Sequence, residues 1–243
     1  MTDVSEVTEA NPQPVPSTFR LVAIWIAVFV PATALFILLE RTRPPGLYWW
    51  SWLIASAQLA IGLWVYRHYY RDQISLWTVR GWPWAAAAFL GLSVIWYTIG
   101  IPTFWPDRTM AVAGLELFKF LVFIGFTEEL WFRGIWFAMF HNRLVPSVIL
   151  GSVAFGLIHL AHDPVWALFA AAFGAVFAAA RYRGASIVQL ALAHGILNWT
   201  MKLVAPVSEF RIGHGILLLV LPALLCLVLS AILLFWRHEK QPG

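Results

Sequence analysis

The stretch Phe126-Thr127-Glu128-Glu129-Leu130-Trp131-Phe132-Arg133-Gly134-Ile135-Trp136-Phe137 sets two adjacent carboxylates and a guanidinium in an otherwise apolar run. In the middle of a membrane-type segment each such group costs about 2.5–3.5 kcal/mol, so three close together signal use. The rest of the chain has the same character. Of 243 residues 61% are hydrophobic and only 12% charged, with a mean hydropathy of +0.76; soluble domains carry about 25% charged residues. The expected fold class is all-α, a polytopic membrane protein with a bundle of about eight transmembrane helices. No polar stretch is long enough for a second, soluble domain. The net charge of +4 forms no basic run, which argues against a nucleic-acid partner. Cys226 is the only cysteine, which excludes an intrachain disulfide and a cysteine-based zinc site; in its Leu-rich segment it reads as a small core hydrophobe.

A span needs about 20 mostly apolar residues. Helices are expected at 20–40, 47–66, 83–101, 111–141, 146–161, 164–181, 185–205 and 213–236. Aromatic belts mark several ends, among them Trp49 and Trp50, Tyr69 and Tyr70, and Trp82 and Trp84. Arg43-Pro44-Pro45-Gly46 breaks the chain, Asp163-Pro164 reads as an N-cap with proline at the first helical position, and Pro146 and Gly184 mark turns. Residues 1–18, acidic and proline-rich, are expected to be a disordered tail, and 19–243 a single transmembrane domain. Ala32-Thr33-Ala34 raises the possibility of a cleaved leader; the acidic residues before it and the apolar run on to Leu39 favour a retained helix. Nine Lys and Arg on the amino-terminal side against five opposite favour both termini in the cytoplasm.

The fourth segment is too long for a simple perpendicular crossing: 30 or so residues would reach about 45 Å, so it must tilt, break or leave the hydrocarbon. In the sixth, Ala170, Gly174 and Ala178 form a thin face for close helix contact. Phe169, Phe173 and Phe177 repeat on the other side, as a substrate groove or, the favoured reading, as ordinary packing. Glu116 and Lys119 read as a locally neutralised pair.

Residues four apart share a helix face, so Glu129 can pair with Arg133 in the preferred carboxylate-first order. That pair is either a structural anchor or part of the chemistry. Glu128 is rotated by about 100° and cannot share the pairing fully. Burial and the like charge beside it disfavour its ionised form, which suits a general base acting on water. His159 lies one turn after Phe155. With His162 it makes a His-x-x-His spacing, discounted as a metal site because Asp163-Pro164 places His162 at the helix exit. His194 and Asn198 point the same way from one helix and together could donate to a developing oxyanion. A plain interhelical polar contact is the alternative.

The ordered set Glu128-Glu129-x-x-x-Arg133, Phe155-x-x-x-His159 and His194-x-x-x-Asn198 resembles the motifs of the CAAX protease and bacteriocin-processing family of intramembrane peptidases, which includes the type II CAAX prenyl endopeptidases. All seven positions match, over roughly Leu115 to Ala205, with a catalytic core about 111–205. The resemblance implies a glutamate-type endopeptidase acting on a membrane-associated peptide or protein. Glu128 and His159 would activate water, His194 and Asn198 would stabilise the tetrahedral intermediate, and Glu129 and Arg133 would shape the site. Phe155 would contact substrate. No cofactor is expected; a divalent metal such as zinc stays open, since members have been described as metalloproteases and two histidines, a glutamate and an asparagine could bind one. The metal-free route is placed ahead, for want of a second histidine at ligand spacing. The expected location is a bacterial inner membrane, with the lipid bilayer as surroundings. Two other classes compete: a non-catalytic immunity or scaffold protein that keeps the motifs for binding, and a small transporter. Against the transporter, no internal repeat duplicates the Glu-Glu cluster.

Overall fold

In the computed structural model, which describes residues 22, 23, 26, 27, 30–42, 49–99, 102–104, 110–161, 164–206 and 212–236, eight helices follow one another. α1 is Val30–Thr42, and α2 is Trp49–Val65 with a wider π turn at Tyr66–Tyr70. α3 is Trp82–Ile99. α4 runs as Met110–Phe118, then Lys119–Phe126 in π geometry, Thr127–Glu129, a second π stretch Leu130–Ile135, and Trp136–Met139. α5 is Val145–Leu150 (π), Gly151–Ile158 and a 3₁₀ turn His159–Ala161; α6 is Pro164–Tyr182, α7 Ile187–Leu203 and α8 Ile212–Phe235. Each lies close to an expected segment. The unexpected element is a short antiparallel pair, β1 (Pro102–Phe104) on β2 (Val204–Pro206), which ties the end of α7 to the connection between α3 and α4.

Local chemistry explains the joints. Pro164 opens α6, where its missing N–H costs nothing. Gly184, at φ +103°, closes the same helix, and the Ala185 amide returns to the Ala180 carbonyl at 3.0 Å. α4 ends on His141 and Asn142, both left-handed, with the Asn142 amide donating to the Phe137 carbonyl at 2.9 Å. The expected break at 43–46 and the N-cap at Asp163 lie outside the described residues, as does the tail 1–18.

α6 is the centre of the bundle, with α5 and α8 packed along it and α3 beside them. Its Val176, Phe177, Ala179 and Ala180 have no exposure, as an apolar helix without a polar face requires. Two cores result. One gathers Leu130, Phe132, Ile135, Phe155 and Ile158 with Tyr70 and Ile74; the other joins α3, α6, α7 and α8 around Leu92, Phe173, Phe177 and Leu197.

Among the described residues, no helix is long and apolar enough to cross a membrane. The expected transmembrane spans are therefore not shown by these helices. π and 3₁₀ turns interrupt α4 and α5, and the segments expected at 20–40 and 83–101 run into residues that are not described.

Candidate active site

A close crossing of α4 and α7 builds the site. A Cβ on Gly125 would stand 2.7 Å from the Ala191 carbonyl oxygen, and one on Gly195 would stand 2.7 Å from that of Phe120. Only glycine at both points lets the two backbones approach this far. The contact brings His194 against the Glu-Glu pair, which occupies a short α turn between the two π stretches of α4. π insertions of this kind recur at functional positions because they turn side chains off the regular helical register.

Glu129 has no exposure, and its Oε1 accepts two bonds: from Arg133 at 3.1 Å and from His194 Nδ1 at 2.8 Å. The pairing read from the four-residue spacing is therefore present, and a histidine from another helix completes it. Arg133 is 1% exposed and also donates to the Gly174 carbonyl at 2.7 Å. A Cβ at Gly174 would meet that guanidinium at 3.0 Å and the Phe155 ring at 2.8 Å. The thin face foreseen on α6 thus admits an arginine and an aromatic ring at this point. The Phe155 ring lies 4.6 Å below the guanidinium carbon.

Glu128 faces the other way. Its side chain is 16% exposed, and Oε2 has no hydrogen-bond partner among the described residues, standing 3.7 Å from His194 Nε2. His194 is thus held between both carboxylates, with Phe177 stacked on its ring at 5.3 Å and Phe173 and Phe155 at 5.7 and 6.0 Å. His159 places Nδ1 2.8 Å from the Phe155 carbonyl. A carbonyl can only accept, so Nδ1 carries the proton of this bond.

Glu128, His159, His194 and Asn198 all line one cavity of about 400 Å³, which is otherwise mostly aromatic. Phe169 and Phe173 are on its wall and also in the buried core, so the phenylalanine stripe is more than the ordinary packing expected of it. Phe155 borders the cavity but is 2% exposed, packed on Phe132 at 5.1 Å and His159 at 4.7 Å. Its surroundings suit it to supporting the charged groups more than to gripping a substrate. His162 lies outside the described residues. Among the described residues no three His, Cys, Asp or Glu side chains are grouped to hold a metal.

What spacing could not foresee was His194 as a partner of Glu129. The only signal was a pair of glycines, Gly125 and Gly195, on the two helices that carry these side chains.

Residues 110–200 match the family model for type II CAAX prenyl endopeptidase Rce1-like proteins, a protease family. The resemblance read from the motifs holds for that segment, a little over a third of the chain. No curated protein and no solved structure matches the chain.

Proposed function

We propose that this protein is a membrane-embedded endopeptidase that hydrolyses a peptide bond in a membrane-associated substrate with water activated by Glu128. The observation that carries the reading is the convergence of Glu128, His159, His194 and Asn198, from three helices, on one cavity. The family match supports a protease, and the outer faces are consistent with a lipid medium. Leu35 and Leu38 on α1, Leu53 on α2, Leu90 and Val94 on α3, and Leu227 on α8 are all exposed, a density of apolar surface that suits lipid.

In this reading Glu128 takes a proton from water, with His159 Nε2 accepting the water's other hydrogen bond. The hydroxide forms the new C–O bond at the scissile carbonyl. The resulting oxyanion is met by Asn198 and by protonated His194, whose Nδ1 is already committed to Glu129. When the C–N bond breaks, Glu128 returns its proton to the leaving amine, and acid and amine products account for every atom. Glu129 and Arg133 do no bond-making; they hold His194 in place.

The test is a proteomic comparison of cells carrying the wild type and Glu128→Gln. One membrane protein or more should keep a terminus that the wild type trims. An unchanged set of termini alongside an unchanged biological phenotype would favour a non-catalytic immunity or scaffold role. Purified protein is expected to stay active in strong chelator; loss of activity with recovery on adding zinc would replace this mechanism with a metal-dependent one.

A further inference from the structure

Arg133 is held to α6 at two points. Its guanidinium donates to the Gly174 carbonyl at 2.7 Å, and its backbone carbonyl accepts from Nε of Arg181 at 3.0 Å. Gly174 and Arg181 lie two turns apart on α6, about 10 Å along its axis. Arg181, half-buried, also donates from Nη1 to the Ala185 carbonyl at 2.8 Å, in the turn that leads into α7. That turn is well tied. The Gly184 amide returns to the Arg181 carbonyl at 2.9 Å. Just beyond, the Ser186 amide donates to Gln189 Oε1 at 2.9 Å and the Gln189 amide to Ser186 Oγ at 3.4 Å, a capping box that opens the helix carrying His194 and Asn198. Ile187, with no exposure, packs on α4 here: a Cβ at Gly134 would stand 3.5 Å from its Cδ1. One guanidinium thus joins the helices that supply the acid pair, the Phe173 and Phe177 rings, and His194 itself.

We propose that Arg181 is a positioning residue: by gripping the Arg133 and Ala185 carbonyls together it sets the rotation of α4 against α7, and so which carboxylate faces the cavity and which meets His194 Nδ1. The proposal rests on the peptidase reading above. α4 and α7 run antiparallel at their crossing, where Gly125 faces Ala191 and Phe120 faces Gly195. The glycines pin the pair at one end and Arg181 pins it at the other, with Glu128 and Glu129 between the two points along α4. A helix pinned at one point can still swivel, and a second point removes that freedom. The bond from Arg133 to Glu129 cannot do this alone, because both groups belong to α4 and turn with it. Arginine suits the task, since its planar fork reaches two carbonyls in fixed directions, which an ammonium on a flexible stem does not.

The experiment compares Arg181→Lys and Arg181→Met with the wild type in lipid nanodiscs on two readouts. One is cleavage of a fluorogenic peptide spanning the terminus found in the proteomic comparison. The other is the His194 Nδ1–H resonance in protein carrying isotope-labelled histidine, assigned by its loss in His194→Gln. Both variants should lower kcat by about 10–100-fold, the scale of an ångström-level misplacement, with KM held within about twofold. Both should also shift or broaden the His194 resonance. Lysine keeps the charge and most of the stem, so a role in stability alone predicts that Arg181→Lys restores kcat and the resonance; that result overturns the proposal. An unchanged kcat in both variants, or a lower kcat with an undisturbed resonance, overturns it as well. Should Arg181→Met fail to fold, Arg181→Lys decides on the same two readouts. Arg183→Met is the matched control: this arginine bonds the Trp236 carbonyl at 2.9 Å and covers the Trp84 ring at 4.5 Å, and its loss should alter neither readout. Equal effects from Arg183→Met would reduce Arg181 to general packing and sink the positioning role. A displaced resonance in the Arg181 variants with no cleavage by the wild type would instead remove the peptidase reading and leave the positioning role standing.

Discussion

Glu128 and Glu129 are neighbours in the chain and opposites in the structure. Behind the cavity wall, Glu129 is sealed from solvent and receives both a guanidinium and an imidazole on one oxygen. On the cavity side, Glu128 keeps an oxygen without a hydrogen bond, 3.7 Å from the same imidazole. A helix turn of about 100° per residue is enough to send adjacent carboxylates into different environments. Each carboxylate keeps one buried oxygen without a hydrogen-bond partner, but of the two only Glu128 borders the cavity. A doubled acid need not be a doubled function: in the proposed mechanism the two carboxylates divide the work of support and reaction.

The largest expected effect comes from removing the same charge on each side. Glu128→Gln should lower the cleavage rate by about 10²–10⁴-fold, the range for losing a positioned general base, with the unfolding midpoint in detergent little changed. Glu129→Gln strips the counter-charge from a sealed arginine and should cost about 3–5 kcal/mol of stability. Activity and thermal unfolding measured together on both variants decide the matter. If the two behave alike, the division between supporting and reacting carboxylates is wrong.

The supporting side can be tested again as a pair. Arg133→Met alone should be as damaging as Glu129→Gln, about 3–5 kcal/mol, since it leaves a buried carboxylate without its cation. Combined, the two substitutions should cost clearly less than their sum, because each removes the charge that the other strands. Additive losses in a double-mutant cycle would mean that Arg133 serves Gly174 and Phe155 more than Glu129.

On the reacting side, Asn198→Ala should reduce kcat by about 10²–10³-fold, as for one lost oxyanion donor. KM should stay nearly constant, because the bond forms only as charge develops. A change confined to KM would assign Asn198 to substrate binding.

Much of this comparison was legible beforehand, and for physical reasons. Helix positions followed from apolar runs and from Pro146, Pro164 and Gly184, which act locally on the backbone. The Glu129–Arg133 bond followed from four-residue spacing on one helix. Two features were not legible. His194 reaches Glu129 from 65 residues away, and a tertiary contact of that kind has no local pattern. The π stretches flanking Glu128 are announced by no residue type. The burial of Lys119, at the start of one of these stretches, was hidden for the same reason.

The smallest expected effect tests what holds both regions together. At the α4–α7 crossing, a methyl group on residue 195 would stand 2.7 Å from the Phe120 carbonyl oxygen, 2.8 Å from Leu121 Cα and 2.9 Å from a Leu121 methyl carbon. Two of those atoms are backbone and cannot rotate aside, so Gly195→Ala must push the helices apart. Overpacking of this kind costs about 1–3 kcal/mol, less than stranding a charge. Its effect on chemistry should exceed its effect on stability, because His194 is the adjacent residue and moves with the helix. Separation by even a few tenths of an ångström lengthens the 2.8 Å bond to Glu129 and alters the 3.7 Å gap to Glu128 at the same time. Gly195→Ala should therefore lower kcat while leaving most of the protein folded at growth temperature. Gly114→Ala, at an exposed helical position where an added methyl meets nothing within 4 Å, should leave kcat unchanged and raise stability by about 0.5–1 kcal/mol. If Gly195→Ala lowers stability but spares kcat, the crossing would be no more than packing, and the placement of His194 between the two carboxylates would have to depend on the aromatic rings of α6 instead.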